Sequence, residues 1–233
     1  MKVLPPTKRI GIIGGLSPES TVSYYLHLTR THYQRYGCYP IISIISVDLE
    51  RYHSWRNEGR WDLIAKGLIE AAKALERAGA EIGLIATNTM HKVFDDVQKE
   101  IRLPLLHILD ATLNEVRRRN IRTVGLLGTR FTMGEAFYVE KIRRLGVGCI
   151  VPDGEAQELV HGIIEDELVR GQVREASRQV FLRIIGDMVG RGAEGIILGC
   201  TEIPLLIREQ DCACPLLDTA VLHAEAALAA ARG

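Results

Sequence analysis

The chain has 233 residues, 47% of them hydrophobic, which is enough to bury the core of one large domain or of two smaller ones. Its 29 basic residues balance 29 acidic residues, and the lack of a basic tract argues against a nucleic-acid partner. Since no apolar stretch reaches the roughly 18 residues of a membrane span and the first residues lack a signal-peptide pattern, we expect a cytoplasmic protein without membrane contacts.

Short apolar runs alternate with helical patterns along the chain. The apolar runs predict strands at residues 10–13, 41–47, 82–86, 124–127 and 195–198. Apolar side chains at helical spacing predict helices at residues 60–78, 172–191 and 219–232. Because continuous apolar strands between helices are typical of parallel sheets covered on both faces, we predict an α/β fold with mostly parallel sheets.

Two pairs of segments show that the sequence repeats itself. Residues 9–16, RIGIIGGL, resemble residues 123–130, TVGLLGTR. Residues 79–91, GAEIGLIATNTMH, resemble residues 192–204, GAEGIILGCTEIP. Both pairs are separated by nearly the same number of positions, which indicates duplicated halves rather than chance similarity.

The duplication predicts two pseudo-symmetric lobes of three layers each, one formed by residues 1–108 with 218–233 and the other by residues 109–217. Ligands of parallel α/β sheets bind beyond the carboxyl ends of the strands. We therefore expect the active site in a cleft between the lobes, lined by the loops at residues 14–20, 48–51, 87–91, 129–133 and 200–204.

The loop after the first strand, GGLSPES, is expected to start a helix. Ser17 would cap this helix, and Pro18 would occupy its first position. The free N–H groups of such a terminus suit a carboxylate or a phosphate, although an ordinary strand–helix turn explains the pattern equally well. The loop lacks the glycine and lysine spacing of nucleotide-binding loops.

Cys200 follows a buried strand and precedes Pro204, which indicates the start of a helix. A thiol at a helix N-terminus has a lowered pKa and can act as a base, whereas the alternative is an unreactive core cysteine. Thr87 occupies the position of Cys200 in the repeat. Since a threonine hydroxyl is far too weak an acid to ionise near neutral pH, Cys200 is the expected base and Thr87 a proton donor or relay.

Other polar side chains in these loops are candidates for binding a substrate carboxylate. Hydroxyls, amides and backbone N–H groups donate hydrogen bonds that strengthen as negative charge develops. His91 is expected beside the site, and His161 is a weaker candidate. The substrate-binding candidates from the loops are Ser17, Asn88, Thr89, Thr129, Thr132, Thr201 and Glu202.

We expect neither a metal nor another cofactor. The five cysteines are odd in number and irregular in spacing, which does not suit a disulfide framework. Cys212 and Cys214 have no second Cys/His pair at zinc-ligand spacing. Pyridoxal phosphate needs a lysine for its Schiff base, and Lys92 is expected on the helix after the strand rather than at the strand end.

Four motifs in combination resemble a known family. GIIGGLSPEST, ATNTMHKV, LGTRFTM and GCTEIPLL resemble the aspartate/glutamate racemases that work without pyridoxal phosphate, over a span from about Arg9 to Leu228. The resemblance implies two facing α/β lobes, a homodimer and an acidic amino acid as substrate. It also implies two cysteines that flank the substrate α-carbon, one removing its proton and the other protonating the opposite face.

Thr87 stands where this family has its first cysteine. The chain therefore resembles the threonine/cysteine branch, which includes enterobacterial members specific for L-aspartate and L-glutamate. The resemblance implies that Cys200 abstracts the α-proton while Thr87 acts on the opposite face. Val169, followed by Arg170, stands where two-cysteine members carry a substrate-binding lysine, and Arg51 is the candidate basic residue of the first half.

Two other functions fit part of the sequence. A decarboxylase of the arylmalonate type is similar in fold and protonates a carbanion with one cysteine of the second half. A binding protein for acidic amino acids that has lost one catalytic group would keep the same loops without exchanging the α-proton.

Overall fold

The structure is a computed structural model that describes residues 7–232. Contacts between residues divide the chain into two compact units. The first unit comprises the described residues through Ile108 together with those from Ala220 onward, and the second comprises Leu109–Thr219. Each unit contains a 4-stranded sheet in which neighbouring strands run parallel, so the predicted α/β fold is confirmed.

Strands and helices alternate in the first unit. Its elements are β1 (Ile10–Gly14), α1 (Pro18–Tyr36), β2 (Ile42–Ser46), α2 (Leu49–Asn57), α3 (Trp61–Arg77), β3 (Ile82–Ile85), a 3-10 helix (Thr89–Val93), α4 (Phe94–Lys99) and β4 (Leu105–Leu106). The strands pair in the order β2-β1-β3-β4. Because β1 and β3 are neighbours and parallel, the loops that follow them lie side by side.

The second unit repeats this arrangement, beginning within α5 (Ile108–Arg118), whose first residue, Ile108, still belongs to the first unit. Its elements are α5, β5 (Thr123–Gly128), α6 (Arg130–Gly134), α7 (Ala136–Arg144), β6 (Gly148–Ile150), α8 (Gly154–Asp166), a 3-10 helix (Leu168–Arg170), α9 (Glu175–Gly190), β7 (Gly195–Gly199), α10 (Ile203–Leu206), a 3-10 helix (Glu209–Asp211) and β8 (Leu216–Asp218). The strand order is β6-β5-β7-β8, which matches the first sheet strand for strand and supports a duplication. The chain then continues into α11 (Thr219–Arg232).

Helices cover both faces of the first sheet, whose central strands β1 and β3 are buried at every residue. Successive side chains of a strand point to opposite faces. Ile13 accordingly packs in a cluster with Leu68 of α3, while Ile12 packs with Leu28 of α1 and Ala224 of α11. The alanine-rich face of α11 therefore completes the core of the first unit.

The core of the second unit surrounds β7, which is also buried at every residue. Ile196 and Leu198 pack in one cluster with Ile164 of α8 and with Phe181 of α9. Cys200 lies at the margin of the same cluster, just beyond the last residue of the strand.

Five predicted strands and three predicted helices are confirmed, with small differences at their ends. The structure adds β4, β6 and β8, which the apolar runs do not predict. These strands have only 2 or 3 residues each, too few for a periodic pattern to appear in the sequence.

Within residues 7–232, no helix combines the length and the apolar character needed to cross a membrane.

Candidate active site

The turn between β1 and α1 has the predicted helix cap. Ser17 is the N-cap residue of α1, and its Oγ accepts a hydrogen bond from the backbone N–H of Ser20 at 3.1 Å. Gly15 has a φ of 80°, and a Cβ there would overlap the carbonyl oxygen of Val47. The turn thus requires glycine at that position, because side chains are strained at such φ angles.

Thr87 follows β3 at a tight turn. Its backbone N–H donates to the carbonyl oxygen of Ile85 at 2.8 Å, and its own carbonyl oxygen lies 2.8 Å from Nδ1 of His91. Thr87 is half-buried, whereas Asn88 and Thr89, next along the chain, are buried. Within the first unit, the Oγ of Ser20 in α1 donates to the carbonyl oxygen of Ala86, so the loops after β1 and β3 lie against each other.

Cys200 directly follows β7 in the second unit and forms a compact polar group with the two residues after it. The thiol donates a hydrogen bond to Oε2 of Glu202 at 2.9 Å. The hydroxyl of Thr201 donates to the same oxygen, also at 2.9 Å. Cys200 and Glu202 are buried, with exposed fractions of 8% and 3%, so this carboxylate and this thiol interact away from bulk water.

The prediction of a lowered thiol pKa at Cys200 is wrong for this structure. Burial raises the pKa of the Cys200 thiol well above its usual value, and the carboxylates of Glu202 and Glu165 raise it further. The expected helix is present as α10, which begins at Ile203, directly before Pro204, but it has only 4 residues. So short a helix offers little dipole to oppose burial and negative charge, both of which favour the protonated thiol.

The loop after β5 lies beside Cys200 because β5 and β7 are neighbouring strands. Thr129 and Thr132 are both buried, and their Oγ1 atoms are 3.4 Å apart. A Cβ added to Gly199 would lie 3.0 Å from Cγ2 of Thr132 and 2.9 Å from the carbonyl oxygen of Leu127. The missing side chain of Gly199 therefore allows the β5 loop to approach the residue before Cys200.

The two predicted basic positions differ in their surroundings. Arg51 is exposed on α2, after the carboxyl end of β2, and its guanidinium carbon lies 5.9 Å from the centre of the Trp55 ring. The stretch around Val169 and Arg170 is not a continuation of α8, since α8 ends at Asp166 and a separate 3-10 helix follows. Val169 packs against the apolar core, whereas Arg170 is exposed.

Among the histidine candidates, His91 lies in the loop after β3, directly bonded to the Thr87 turn. His161 lies on α8, and its ring meets the ring of Phe131 edge-on at 6.3 Å between centroids. Glu165, also on α8, acts electrostatically on Cys200. No local pattern singles out Glu165 in the sequence, because it reaches Cys200 only through the packing of α8 against β7.

A comparison of the whole sequence with profiles of known families identifies the family of the chain. The profile of the Asp/Glu/hydantoin racemase family matches residues 13–227, a span that includes all five strand-end loops. The chain belongs to this family. The predicted relationship to racemases, which are isomerases, is therefore confirmed.

Individual members of the Asp/Glu/hydantoin racemase family match over almost their full length. The chain is 24% identical over 221 residues to the broad specificity amino-acid racemase RacX of Bacillus subtilis, covering 93% of this chain and 95% of RacX. The crystal structure of a candidate Asp/Glu racemase from Yersinia pestis matches with a TM-score of 0.90 and 41% identity, covering 97% of this chain and 100% of that chain. An aspartate racemase homologue from Pyrococcus horikoshii OT3 matches with a TM-score of 0.85 and 39% identity, with the same coverage of 97% and 100%.

Proposed function

We propose that this protein racemises an acidic amino acid, aspartate or glutamate, without a cofactor. In this proposal Cys200 transfers the α-proton on one face of the substrate and Thr87 acts on the opposite face. Membership of the Asp/Glu/hydantoin racemase family and the similarity to an aspartate racemase homologue support the substrate class. The observation that carries the chemistry is the hydrogen bond from the Cys200 thiol to the Glu202 carboxylate.

The proposed base is generated by proton transfer within this pair. Because the pKa of the Cys200 thiol is raised, the sulfur is protonated before substrate binds. Glu202 is the proposed acceptor of that proton, and the support for this is that its Oε2 accepts a hydrogen bond from the thiol at 2.9 Å. The ammonium group of an arriving amino acid favours the thiolate, since a nearby positive charge lowers the pKa of a thiol. The thiolate then removes the α-proton, and the thiol returns it in the reverse direction.

Negative charge that develops on the α-carbon must be delocalised into the substrate carboxylate. Donors that strengthen as this charge grows lower the barrier. Glu202 is unsuited to binding that carboxylate because two anions repel each other, and it suits the thiol or the substrate ammonium group instead. Arg51 is the proposed partner of the side-chain carboxylate. The proposed donors to the α-carboxylate are Ser17, Asn88, Thr89, Thr129, Thr132 and Thr201.

Thr87 makes the proposed reaction unequal on the two faces. A hydroxyl group does not form a standing base near neutral pH, whereas a thiol can be tuned to do so. Thr87 can donate a proton or relay one from water, so the step on its face is the slower one. Racemisation in solution has an equilibrium constant of one, and this asymmetry therefore appears as slow turnover in both directions.

Exchange of the α-proton with deuterium oxide tests the proposal. Proton NMR of L- and D-aspartate, L- and D-glutamate and a panel of other amino acids follows loss of the α-proton, and a chiral assay follows the enantiomer. We expect exchange and slow racemisation with an acidic amino acid. Binding of aspartate or glutamate in calorimetry without any exchange would show a binding protein, and release of carbon dioxide from phenylmalonate would show a decarboxylase.

The proposed assembly is a homodimer, and an exposed apolar surface on the first unit supports it. The surface combines one side of α1 with the segment leading into β2, the edge strand of the first sheet. Contiguous exposed apolar side chains and open sheet edges are typical of protein interfaces. Sedimentation of the wild type beside Tyr39→Glu tests whether this surface is shared by two copies. The exposed side chains are Val22, Tyr25, Tyr33, Tyr39, Ile41 and Ile44.

The proposed compartment is the cytoplasm. All five cysteines are free thiols, which suits a reducing environment.

A further inference from the structure

The imidazole of His91 connects the ends of two neighbouring strands in the first unit. His91 lies in the 3-10 helix after β3 and is 3% exposed. Its Nδ1 is 2.8 Å from the carbonyl oxygen of Thr87, just after β3. Its Nε2 is 3.2 Å from the backbone nitrogen of Ile108, just after β4. One side chain thus joins the loop that bears Thr87 to the segment that follows the adjacent strand.

The two partners determine the protonation state of His91. A carbonyl oxygen only accepts hydrogen bonds, so Nδ1 must carry a proton and donate a hydrogen bond to the carbonyl oxygen of Thr87. The backbone N–H of Ile108 only donates, so Nε2 must offer a lone pair. These two contacts fit the neutral imidazole with its proton on Nδ1. Protonation of Nε2 would replace the bond to Ile108 with a contact between two donors at the start of α5.

The surroundings of His91 restrict the movement of its ring. The ring of Phe94 is parallel to it, with centroids 5.5 Å apart. The rings of His107 and His223 lie 4.7 Å and 5.8 Å from it, at inclined angles. Burial lowers the pKa of His223 to about 3, so this neighbour adds no positive charge near neutral pH. His91 is thus a buried, hydrogen-bonded side chain packed among three aromatic rings.

The bond from His91 completes the hydrogen bonding of the Thr87 backbone. The N–H of Thr87 is bonded to Ile85, and the N–H of Ala86 is bonded to Ile13 of β1. The carbonyl of Thr87 is the remaining polar group of this turn, and His91 is its donor. Without that donor the peptide after Thr87 can rotate, and the Cα–Cβ bond that carries the hydroxyl changes direction with it.

We propose that His91 is a positioning residue, which orients the Thr87 hydroxyl for proton transfer on its face of the substrate. The inference rests on the proposed racemase function and deepens it, because it assigns the Thr87 face a supporting residue that the Cys200 face does not use. It follows that a change at His91 alters inversion of the α-carbon more than it alters exchange through Cys200.

Two variants separate the two hydrogen bonds of His91. His91→Asn places an amide N–H near the position of Nδ1, so it can retain the bond to Thr87 and loses the bond to Ile108. His91→Gln places an amide oxygen near the position of Nε2, so it can retain the bond to Ile108 and loses the bond to Thr87. His27→Gln is the matched control, since His27 is a partly exposed histidine of α1 bonded to Glu225.

The readout is the ratio of inversion to exchange with retention, measured with deuterium oxide and a chiral assay on the same sample. We expect His91→Gln to lower this ratio about tenfold, the effect of one lost hydrogen bond, and His91→Asn to preserve it within about threefold. A structural role alone would lower both rates together and leave the ratio unchanged. An unchanged ratio in His91→Gln, or a larger loss in His91→Asn, would overturn the inference.

A second measurement does not depend on activity. Two-bond proton–nitrogen NMR spectra of protein labelled at histidine distinguish the tautomers, and His91→Gln assigns the signal. We expect a neutral ring with the proton on Nδ1 near neutral pH. A proton on Nε2, or a charged ring, would overturn the positioning role even in an active enzyme. If the tautomer is as expected and the wild type shows no α-proton exchange, the proposed function fails while the His91–Thr87 bond stands.

Discussion

The Cys200 thiol donates a hydrogen bond to Oε2 of Glu202, two residues along the chain, at 2.9 Å. In the proposed chemistry this arrangement holds a protonated sulfur beside a proton acceptor. The same carboxylate oxygen accepts a second bond from Thr201, which fixes its orientation. In that proposal the Cys200 thiol can donate a proton directly, and it becomes a base only after Glu202 has taken its proton.

Replacing Glu202 tests this pairing. Glu202→Gln removes the negative charge that helps to raise the pKa of the Cys200 thiol, so we expect that pKa to fall. The midpoint of alkylation of Cys200 by iodoacetamide, followed by mass spectrometry, should move to lower pH while racemase activity decreases. Glu155→Gln is the control, because Glu155 is exposed at the start of α8 and should leave both quantities unchanged. An alkylation midpoint in Glu202→Gln equal to or above that of the wild type would contradict the pairing.

Substitutions of Thr87 test the inequality of the two faces. Thr87→Cys supplies a thiol, which is a far stronger acid than a hydroxyl, and we expect racemisation to accelerate by about tenfold or more. Thr87→Val keeps the size of the side chain and removes the hydroxyl group with its transferable proton. Inversion should therefore cease, while exchange with retention through Cys200 continues. A chiral assay combined with NMR measures both rates. Racemisation by Thr87→Val at the wild-type rate would rule out a role for the hydroxyl.

Gly199 should be essential for the approach of the β5 loop to Cys200. In Gly199→Ala the new Cβ would meet the carbonyl oxygen of Leu127 at 2.9 Å and Cγ2 of Thr132 at 3.0 Å. We expect a loss of about 1–3 kcal/mol in the free energy of unfolding, measured by urea denaturation, together with reduced activity. Gly186→Ala is the control, because no atom lies within 4 Å of its added Cβ in α9. There the helix should gain up to about 1 kcal/mol. Equal effects of the two substitutions would contradict the close approach.

His223 should make the first unit sensitive to acid. Burial lowers its pKa from 6.5 to about 3, with a smaller contribution from His107. Its Nδ1 accepts from the Tyr24 hydroxyl and its Nε2 donates to the carbonyl oxygen of Leu106, so both nitrogens are bonded in the neutral form. Between these two pKa values the unfolded chain binds a proton that the folded chain does not. The contribution of neutral His223 to stability is therefore complete above pH 6.5, and it is lost as the pH falls toward about 3.

The variant His223→Gln removes this titration. Between pH 7 and pH 5 the wild type should lose about 2 kcal/mol more of its free energy of unfolding than the variant loses, as measured by urea denaturation at each pH. Other titrating groups contribute equally to both proteins and cancel in this difference. Parallel loss of stability in the two proteins would show that His223 is not held neutral by burial.

The sequence allows the main strands and the helix cap to be predicted because their signals are local. The apolar runs around Ile12 and Ile197 are long enough to indicate buried strands, and the Ser17–Pro18 pair is a local capping signal. The strand at Leu105–Leu106 has 2 residues and no period to detect. Its pairing with β3 is decided by tertiary packing.

The candidate site is less predictable because its electrostatics depend on packing. The position of Cys200 after a buried strand is visible in the sequence, but the sequence pattern predicts a lowered thiol pKa, whereas the structure raises it. Burial is the largest cause of that shift, and Glu202 and Glu165 add to it. Glu202 is a near neighbour in the sequence, but the burial of the thiol and the approach of Glu165, on α8, follow only from tertiary packing. The hydrogen bond from His91 to Thr87 joins positions four apart in the sequence. The second hydrogen bond of the ring, from the backbone N–H of Ile108, cannot be predicted from the sequence, because the short strand β4 brings Ile108 close.

The most direct measurement of the proposed chemistry is α-proton exchange by Cys200→Ala in deuterium oxide, with aspartate or glutamate as substrate. Cys38→Ala, which removes a thiol from the first unit, is measured beside it. We predict that Cys200→Ala shows no enzymatic exchange in either enantiomer while Cys38→Ala retains the wild-type rate. Normal exchange by Cys200→Ala would contradict the assignment of this sulfur as the group that takes and returns the α-proton.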